Sequence, residues 1–377
     1  MHNNQVPTGS IEQGVLCQSP LSSTLEADRT WVNSAVSKLE ADAHRSADTH
    51  LLKLSLSAFP EIDFYLKDES THLTGSLKHR LARSLFLYGI CNGNIHQNTT
   101  IVEASSGSTA ISEAYFARLL GLPFVAVVPK GTSSEKLKSI EHYGGKIAFA
   151  ESAELYSEAQ RLATASNGHY MDQFTFAERV TDWRGNNNIA ESLFDQMSCE
   201  KYSVPSWIVV GAGTGGTSAT VGRFIRYKSG AYGKTRLCVA DPEGSVFYNA
   251  FTKRDNQQLN LNTQKSNIEG VGRPRHEPSF NPNVVDLMLK IKDEASVATA
   301  IWLESLFNRK FGGSTGLNLY ASIQLAHKMQ LKGESGSIVT LICDDGMRYL
   351  DSVHSVEWRN KLGLDIAPTL QMLDTLK

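Results

Sequence analysis

Three polar stretches of the sequence each follow a short apolar run and precede a helical pattern. The first ends at Lys78, the second is Ser105–Thr109 and the third is Gly211–Thr217. Such strand–loop–helix turns are where α/β sheets place their ligands. A lysine can form a Schiff base with a carbonyl compound, and polar helix starts bind anions. On spacing alone Lys78 would be a solvated surface charge, so its interpretation depends on the other two stretches.

The third stretch indicates a phosphate site, because glycines let the backbone approach an anion and free N–H groups at a helix start bind it. It also resembles a dinucleotide fingerprint. That fingerprint needs an acidic residue about 20 positions later, whereas the candidate, Asp241, lies 30 residues after Gly211. The residues predicted to hold the phosphate are Gly213, Thr214, Gly215, Gly216 and Thr217.

The second stretch combines four hydroxyl side chains with one glycine at a helix start. Such a loop suits an anion the size of a carboxylate, although a plain capping loop is the alternative. Together, a lysine, a carboxylate site and a phosphate site indicate pyridoxal phosphate (PLP) with an amino-acid substrate. The residues predicted to bind the substrate in this loop are Ser105, Ser106, Gly107 and Thr109.

Three motifs in this order resemble the fold-type II PLP enzymes of the cysteine synthase and cystathionine β-synthase family. The lysine motif P-[ST]-x-S-x-K-x-R is matched by Thr74–Arg80, with Leu73 in place of the usual proline, and T-S-G-N-T is matched by Ser105–Thr109. The phosphate motif G-T-G-G-T is matched without change by Gly213–Thr217. The resemblance implies that Lys78 binds the cofactor and acts as the catalytic base, and that Gln173 lies near the substrate.

Two departures from the family pattern concern the cofactor's surroundings. Ser108 stands where the family has an asparagine that hydrogen-bonds the ring hydroxyl, and Asp344 stands where it has a serine facing the pyridine nitrogen. A carboxylate there would raise the pKa of the ring nitrogen by about 1–3 units and make the ring a better electron sink. Alternatively, Asp344 is turned away and caps the last helix together with Asp345.

A third departure adds Arg273 and Arg275 to the family segment I-x-G-I-G. With the Ser-Ser-Gly-Ser-Thr loop, this resembles the cysteine desulfhydrase branch, although a solvated patch or a dimer contact is the simpler interpretation of the two arginines. The expected reaction is β-elimination on L-cysteine, giving sulfide, pyruvate and ammonia. Cysteine synthase-type β-replacement on O-acetylserine with sulfide is the alternative. A more distant one is an NAD-binding dehydrogenase or a ligand-binding regulator.

The alternation of strand and helix patterns predicts an α/β fold with two doubly wound parallel-sheet domains. The resemblance specifies the tryptophan synthase β-like arrangement. We expect an N-terminal extension at 1–47 and a smaller, mobile domain at 67–176 that carries Lys78 and the substrate loop. The larger domain would comprise 48–66 plus 177–377 and carry the phosphate loop.

The composition of this 377-residue chain indicates which classes of partner it binds. A net charge of −2 gives no attraction to nucleic acid or to a membrane surface, and no apolar run approaches the length of a membrane span. The five cysteines include no CxxC pair, which predicts reduced thiols, a cytoplasmic location and no metal site. We expect a homodimer that acts on a small amino acid, L-cysteine or a β-substituted alanine.

Overall fold

The computed structural model describes residues 22–45, 48–253 and 266–377, which form alternating strands and helices. The strands of this part are β1 (His50–Leu54), β2 (Ile62–Asp68), β3 (Ile101–Glu103), β4 (Phe124–Pro129), β5 (Lys146–Ala150), β6 (His169–Tyr170), β7 (Trp207–Gly211), β8 (Arg236–Pro242), β9 (Leu287–Ile291) and β10 (Gly336–Ile342). Its α-helices are α1 (Ser22–His44), α2 (Lys78–Cys91), α3 (Ser108–Leu120), α4 (Ser134–His142), α5 (Leu155–Ala165), α6 (Gln173–Val180), α7 (Ile189–Met197), α8 (Gly216–Tyr227), α9 (Ser229–Tyr232), α10 (Phe247–Lys253), α11 (Asp293–Phe307), α12 (Gly313–Leu331), α13 (Val356–Lys361) and α14 (Ala367–Asp374). Short 3₁₀ turns lie at Glu69–Thr71, Pro282–Val284 and Gly346–Tyr349.

The larger sheet has six strands in the order β1-β2-β10-β7-β8-β9. Neighbouring strands run parallel from β2 to β9, whereas β1 pairs antiparallel with β2. Only residues 55–61 connect β1 to β2, and a parallel pair would need a longer crossover connection. β1 therefore adds an antiparallel edge to an otherwise parallel sheet.

Both faces of the larger sheet are buried. On β7, Val209 packs into a core on one face, whereas Ile208 and Val210 pack into a second core on the other. On β10, Ile338 and Val339 divide between the same two cores. Because successive side chains of a strand point to opposite faces, helices cover both sides, and the strands are almost continuously apolar.

The smaller sheet has four parallel strands in the order β5-β4-β3-β6, all from residues 101–170. Ile101 and Val102 on β3 again point into two different cores. The prediction of an α/β fold built on two doubly wound parallel sheets is confirmed. The exception is the antiparallel edge strand β1.

Helix α1 packs on the helices that cover the smaller sheet. Its Ala35 and Leu39 share a core with Leu85 of α2 and Ala114 of α3. Near its C-terminal end the helix also buries a carboxylate, Asp42. Within the described ranges, no helix combines the length and apolar character that crossing a membrane requires.

Candidate active site

Lys78 is the first residue of α2, and the loop before it is attached to the C-terminal end of β10. Gly75 adopts a φ of 65°, the left-handed conformation that glycine reaches without strain. The Leu77 N–H donates to the Cys343 carbonyl at 2.8 Å, and the Asp345 N–H donates to the Gly75 carbonyl at 3.0 Å. Two segments far apart in sequence therefore fix the start of α2.

The surroundings of Lys78 favour a neutral amine. Desolvation is the main cause that lowers the pKa of Lys78, and the positive charge of Arg273 lowers it further. Negative charge at Cys343 and Asp344 opposes this effect in part. Among the described residues no side chain hydrogen-bonds or ion-pairs with the Lys78 Nζ. An uncommitted amine with a lowered pKa is what a catalytic base or a Schiff-base lysine requires.

The glycine-rich loop lies across a cavity from this lysine. Thr214, Gly216 and Thr217 line that cavity together with Lys78, as the sequence predicts. They lie at the start of α8, where backbone N–H groups and the helix dipole favour an anion. The Gly216 N–H donates to Thr214 Oγ1 at 3.3 Å.

Gly213 and Gly215 shape the turn and are not among the cavity's lining residues. A Cβ on Gly213 would lie 2.2 Å from the Gly270 carbonyl oxygen. A Cβ on Gly215, whose φ is 88°, would lie 2.6 Å from the Phe280 Cα. The loop therefore needs glycine because the neighbouring backbone passes so close.

The hydroxyl-rich loop connects β3 to α3. Ser105, Ser106 and Gly107 are half-buried at the helix start. The Ser108 hydroxyl donates to Asp344 Oδ2 at 3.3 Å and accepts from Arg348 Nη1 at 2.9 Å. Ser108 is therefore oriented by one anion and one cation.

Thr109 joins this loop to Gln173, the first residue of α6. The Thr109 hydroxyl donates to Gln173 Oε1 at 2.7 Å, and both side chains are buried. The Gln173 N–H donates to Glu103 Oε2 at 3.1 Å. The fold thus brings together two residues that the sequence places 64 positions apart.

Asp344 and Asp345 have different environments. The Asp345 Oδ1 accepts from the Met347 N–H at 2.9 Å and caps the turn at Gly346–Tyr349. Asp344 points inward, and its Oδ2 accepts from the Tyr349 hydroxyl at 2.6 Å. Its Oδ1 is buried without a hydrogen-bond partner in the described part of the chain. Burial is the main cause that raises the pKa of Asp344. The cap is therefore Asp345, and Asp344 has a free acceptor atom inside the protein.

Arg348 and Tyr349 are site residues that the sequence interpretation missed. Arg348 donates to the Thr74 carbonyl with its second guanidinium nitrogen, so it links the lysine loop to Ser108. Both residues belong to the family motif R-Y-L next to Asp344, which could have identified them.

The two added arginines both pair with one buried glutamate. The Nε atoms of Arg273 and Arg275 lie 2.9 and 3.2 Å from Oε1 of Glu277, whose side chain is fully buried. The Arg273 guanidinium also stacks over Phe174, 4.1 Å from the ring centroid. This cluster joins the 273–277 segment to α6, while Arg275 stays half-exposed at the surface.

Asp241 is the acidic residue that an NAD-binding interpretation needs, but its side chain accepts a hydrogen bond from the backbone. Its Oδ2 accepts from the Tyr248 N–H at 2.9 Å at the start of α10. Burial raises the pKa of Asp241 to about 6.

In the described ranges no group of three or more histidine, cysteine or acidic side chains could hold a metal ion. The cysteines of those ranges, Cys91, Cys199, Cys238 and Cys343, are free thiols, and Cys17 lies outside them.

The start of α8, Lys78 and Asp344 together suit PLP. The start of α8 provides N–H groups for a phosphate, and Lys78 provides an amine for an aldehyde. The unpaired Oδ1 of Asp344 is an acceptor that a protonated ring nitrogen could satisfy, because a buried carboxylate oxygen needs a donor. The observed donors and acceptors thus match the three polar ends of that cofactor.

Comparison with known sequences finds relatives that the chain matches over most of its length. It is 56% identical over 344 residues to L-cysteine desulfhydrase Cds1 of Mycobacterium tuberculosis, covering 90% of this chain and 92% of that protein. It is 28% identical to a cysteine synthase of Dictyostelium discoideum, covering 83% of each. Both relatives therefore span the residues that form the cavity.

Solved structures share the fold at low sequence identity. An O-ureido-L-serine synthase has a TM-score of 0.71 at 24% identity, covering 81% of this chain and 91% of the other. A hydrogen sulfide-producing enzyme has a TM-score of 0.72 at 23% identity, covering 84% and 91%. The family model described as pyridoxal-phosphate dependent enzyme matches residues 45–344. The chain belongs to the family of pyridoxal-phosphate dependent enzymes.

Proposed function

We propose that this protein is a PLP-dependent L-cysteine desulfhydrase, a carbon–sulfur lyase. It would convert L-cysteine and water into sulfide, pyruvate and ammonia. The observation that carries the proposal is the desolvated, uncommitted Lys78 amine across a cavity from the phosphate-binding start of α8. The 56% identical relative named L-cysteine desulfhydrase supports sulfur as the leaving atom.

The proposed roles divide among the loops. Thr214, Gly216 and Thr217 would hold the cofactor phosphate, with Gly213 and Gly215 shaping the loop. When bound, PLP supplies an electron-withdrawing ring that stabilises negative charge at the substrate's α-carbon. Residues Ser105–Gly107 would bind the substrate carboxylate, while Thr109 and Gln173 hold that loop in place.

Lys78 would take the α-proton of the substrate. An ordinary lysine has a pKa of about 10.4 and is charged at neutral pH, so desolvation is what makes a neutral base available. Asp344 would accept a hydrogen bond from the ring nitrogen with its Oδ1 and stabilise the protonated ring. Ser108, oriented by Arg348, would stand beside the ring hydroxyl.

The decisive experiment incubates the purified, PLP-loaded protein with L-cysteine and measures sulfide and pyruvate, with and without O-acetylserine. Equimolar sulfide and pyruvate from L-cysteine alone support the proposal. Consumption of O-acetylserine and sulfide that is far faster than cysteine breakdown would show a cysteine synthase instead.

We further infer a cytoplasmic homodimer whose smaller domain, residues 67–176, moves against the rest. Free thiols at four described cysteines suit a reducing compartment.

Leu73, Met347 and Leu350 are exposed beside the site, which suits a partner surface. Light scattering on the purified protein measures the oligomeric state, and a monomer would refute the dimer.

A further inference from the structure

Two glutamates with no evident role in the reaction meet directly beneath the substrate loop. Glu103 ends β3, and Glu113 lies in the second turn of α3. Both side chains are fully buried, and their carboxyl groups lie within hydrogen-bond reach of each other. No lysine, arginine or histidine of the described residues forms an ion pair with either of them.

The hydrogen bonds indicate which glutamate carries a proton. Glu103 Oε1 accepts from the Ala104 N–H at 2.7 Å, and its Oε2 accepts from the Gln173 N–H at 3.1 Å. Neither carboxyl oxygen of Glu113 receives a donor from any other described group. Because N–H donors favour the charged form of an acid, Glu103 is the anion and Glu113 is the acid.

The other titratable groups that face the pair form no hydrogen bond with it in the described part of the chain. Asp172, just before α6, is acidic, and Tyr170 on β6 is a buried phenol without a partner among the described residues. Burial is the main cause that raises the pKa of both glutamates, and each negative neighbour adds to it. Two buried anions in contact, without a cation, would be strongly unfavourable, so the pair keeps one proton at neutral pH.

The pair connects the segments that form the substrate site. Glu103 fixes the backbone of Gln173, and Gln173 in turn accepts the Thr109 hydroxyl. Glu113 belongs to the same helix as Thr109 and lies four residues, or about one turn, later. Displacing either carboxyl would therefore shift the Ser105–Thr109 loop relative to α6.

We propose that Glu113 is a protonated positioning residue, which donates its proton to Glu103 and thereby holds Gln173 and the Ser105–Thr109 loop in place for a substrate carboxylate. The role of the loop in binding the substrate rests on the proposed function. The shared proton does not, because it follows from burial and hydrogen bonding alone.

The shared proton makes stability depend on pH in a definite direction. An unfolded glutamate loses its proton near its ordinary pKa of about 4.3, whereas the folded pair keeps it. The native state then binds more protons than the unfolded state, so the free energy of unfolding falls as pH rises above that value. The decline continues until the pair itself ionises.

The test compares Glu113→Gln with wild type by thermal unfolding of the PLP-loaded protein between about pH 5 and pH 9. Glutamine donates an N–H to Glu103 and has no proton to lose, so its melting temperature should decline less steeply with pH. The exposed Glu141 provides the control: Glu141→Gln makes the same substitution away from the pair and should keep the wild-type slope of melting temperature against pH. A wild-type slope in Glu113→Gln would overturn the shared proton.

A second variant tests whether Glu113 holds the Ser105–Thr109 loop in place. Glu113→Leu removes the donor, so KM for L-cysteine should rise at least about tenfold, with a smaller change in kcat. Glu113→Gln should recover most of that loss. Equal KM values in Glu113→Leu and wild type would overturn the positioning role. If wild type and variants all fail to release sulfide, but the melting temperatures of wild type and Glu113→Gln still differ in their dependence on pH, the proposed function fails and the shared proton stands.

Infrared spectroscopy covers the case in which the variants do not fold. Wild-type protein with glutamate labelled at the side-chain carboxyl should show the C=O stretch of a protonated acid at neutral pH. Absence of that band would overturn the proposal.

Discussion

The backbone of Ser76 pairs with the backbone of Asp344 in an isolated antiparallel bridge, two residues before Lys78. This bridge joins the loop that carries the lysine to the end of β10, which carries the buried carboxylate. The Leu77 N–H adds a hydrogen bond to the Cys343 carbonyl on the same side. Lys78 and Asp344, which lie far apart in the sequence, are therefore held together by one short piece of backbone.

Replacing Lys78 by alanine should lower sulfide release from L-cysteine by at least about 1,000-fold, because general-base catalysis alone contributes 10²–10⁴-fold. The visible absorption that a lysine-bound cofactor gives should also disappear. Lys138→Ala, at an exposed lysine on α4, is the control and should retain both properties. Full turnover in Lys78→Ala would contradict the assignment of the base.

Asp344→Asn should have opposite effects on activity and stability. Losing the charge beside the ring nitrogen should lower kcat by about 100-fold, a usual cost for losing a preorganised electrostatic contact. Because burial raises the pKa of Asp344, its charge opposes folding above the ordinary pKa. The melting temperature of the cofactor-free variant should therefore exceed that of wild type at neutral pH.

Asp345→Asn is the matched control for that variant. It changes the neighbouring carboxylate, which caps the 3₁₀ turn, and asparagine also caps well, so kcat and stability should stay close to wild type. If both variants lower kcat equally, the distinction between the two aspartates is wrong.

Asp42 connects α1 to the lysine helix and should matter for stability at acidic pH. It accepts from the Tyr115 hydroxyl at 2.5 Å, and its Oδ2 lies 3.5 Å from Nε2 of His79. Burial alone would raise the pKa of Asp42, but these contacts hold the pKa below its ordinary value. Its contribution is therefore present above about pH 4 and is lost as pH falls through the lowered pKa.

Asp42→Ala should lower the free energy of unfolding by about 1–3 kcal/mol at neutral pH, because it leaves buried donors unpaired. Asp28→Ala removes an exposed partner of His96 from the same helix and should cost at most about 1 kcal/mol. Denaturant unfolding at neutral and acidic pH measures both. An equal cost at the two sites would argue against a structural role for Asp42.

Gly213→Ala should weaken cofactor binding, because its Cβ would lie 2.2 Å from the Gly270 carbonyl oxygen and force the loop away. A shift of this size should raise the Kd for PLP at least about tenfold, or 1.4 kcal/mol. Gly131→Ala is the control, since a Cβ there meets nothing within 4 Å. Titrating the cofactor-free proteins with PLP tests this, and equal affinities would contradict it.

Sequence alone determined the parts of the site that are local. Lys78 and the glycine-rich loop Gly213–Thr217 each lie within one strand–loop–helix turn, so residue type and order suffice to predict them. The parallel sheets follow for the same reason, because each strand is almost continuously apolar.

The tertiary structure determined which residues of different strand–loop–helix turns contact each other. Asp344 and Asp345 are adjacent and chemically identical, and only the bridge to Ser76 sends one inward and leaves the other to cap a turn. Glu103 and Glu113 are ten residues apart on different elements, and no periodicity indicates their contact. Burial favours a shared proton there, because two fully buried carboxyl groups that no cation of the described residues pairs with would otherwise both be charged.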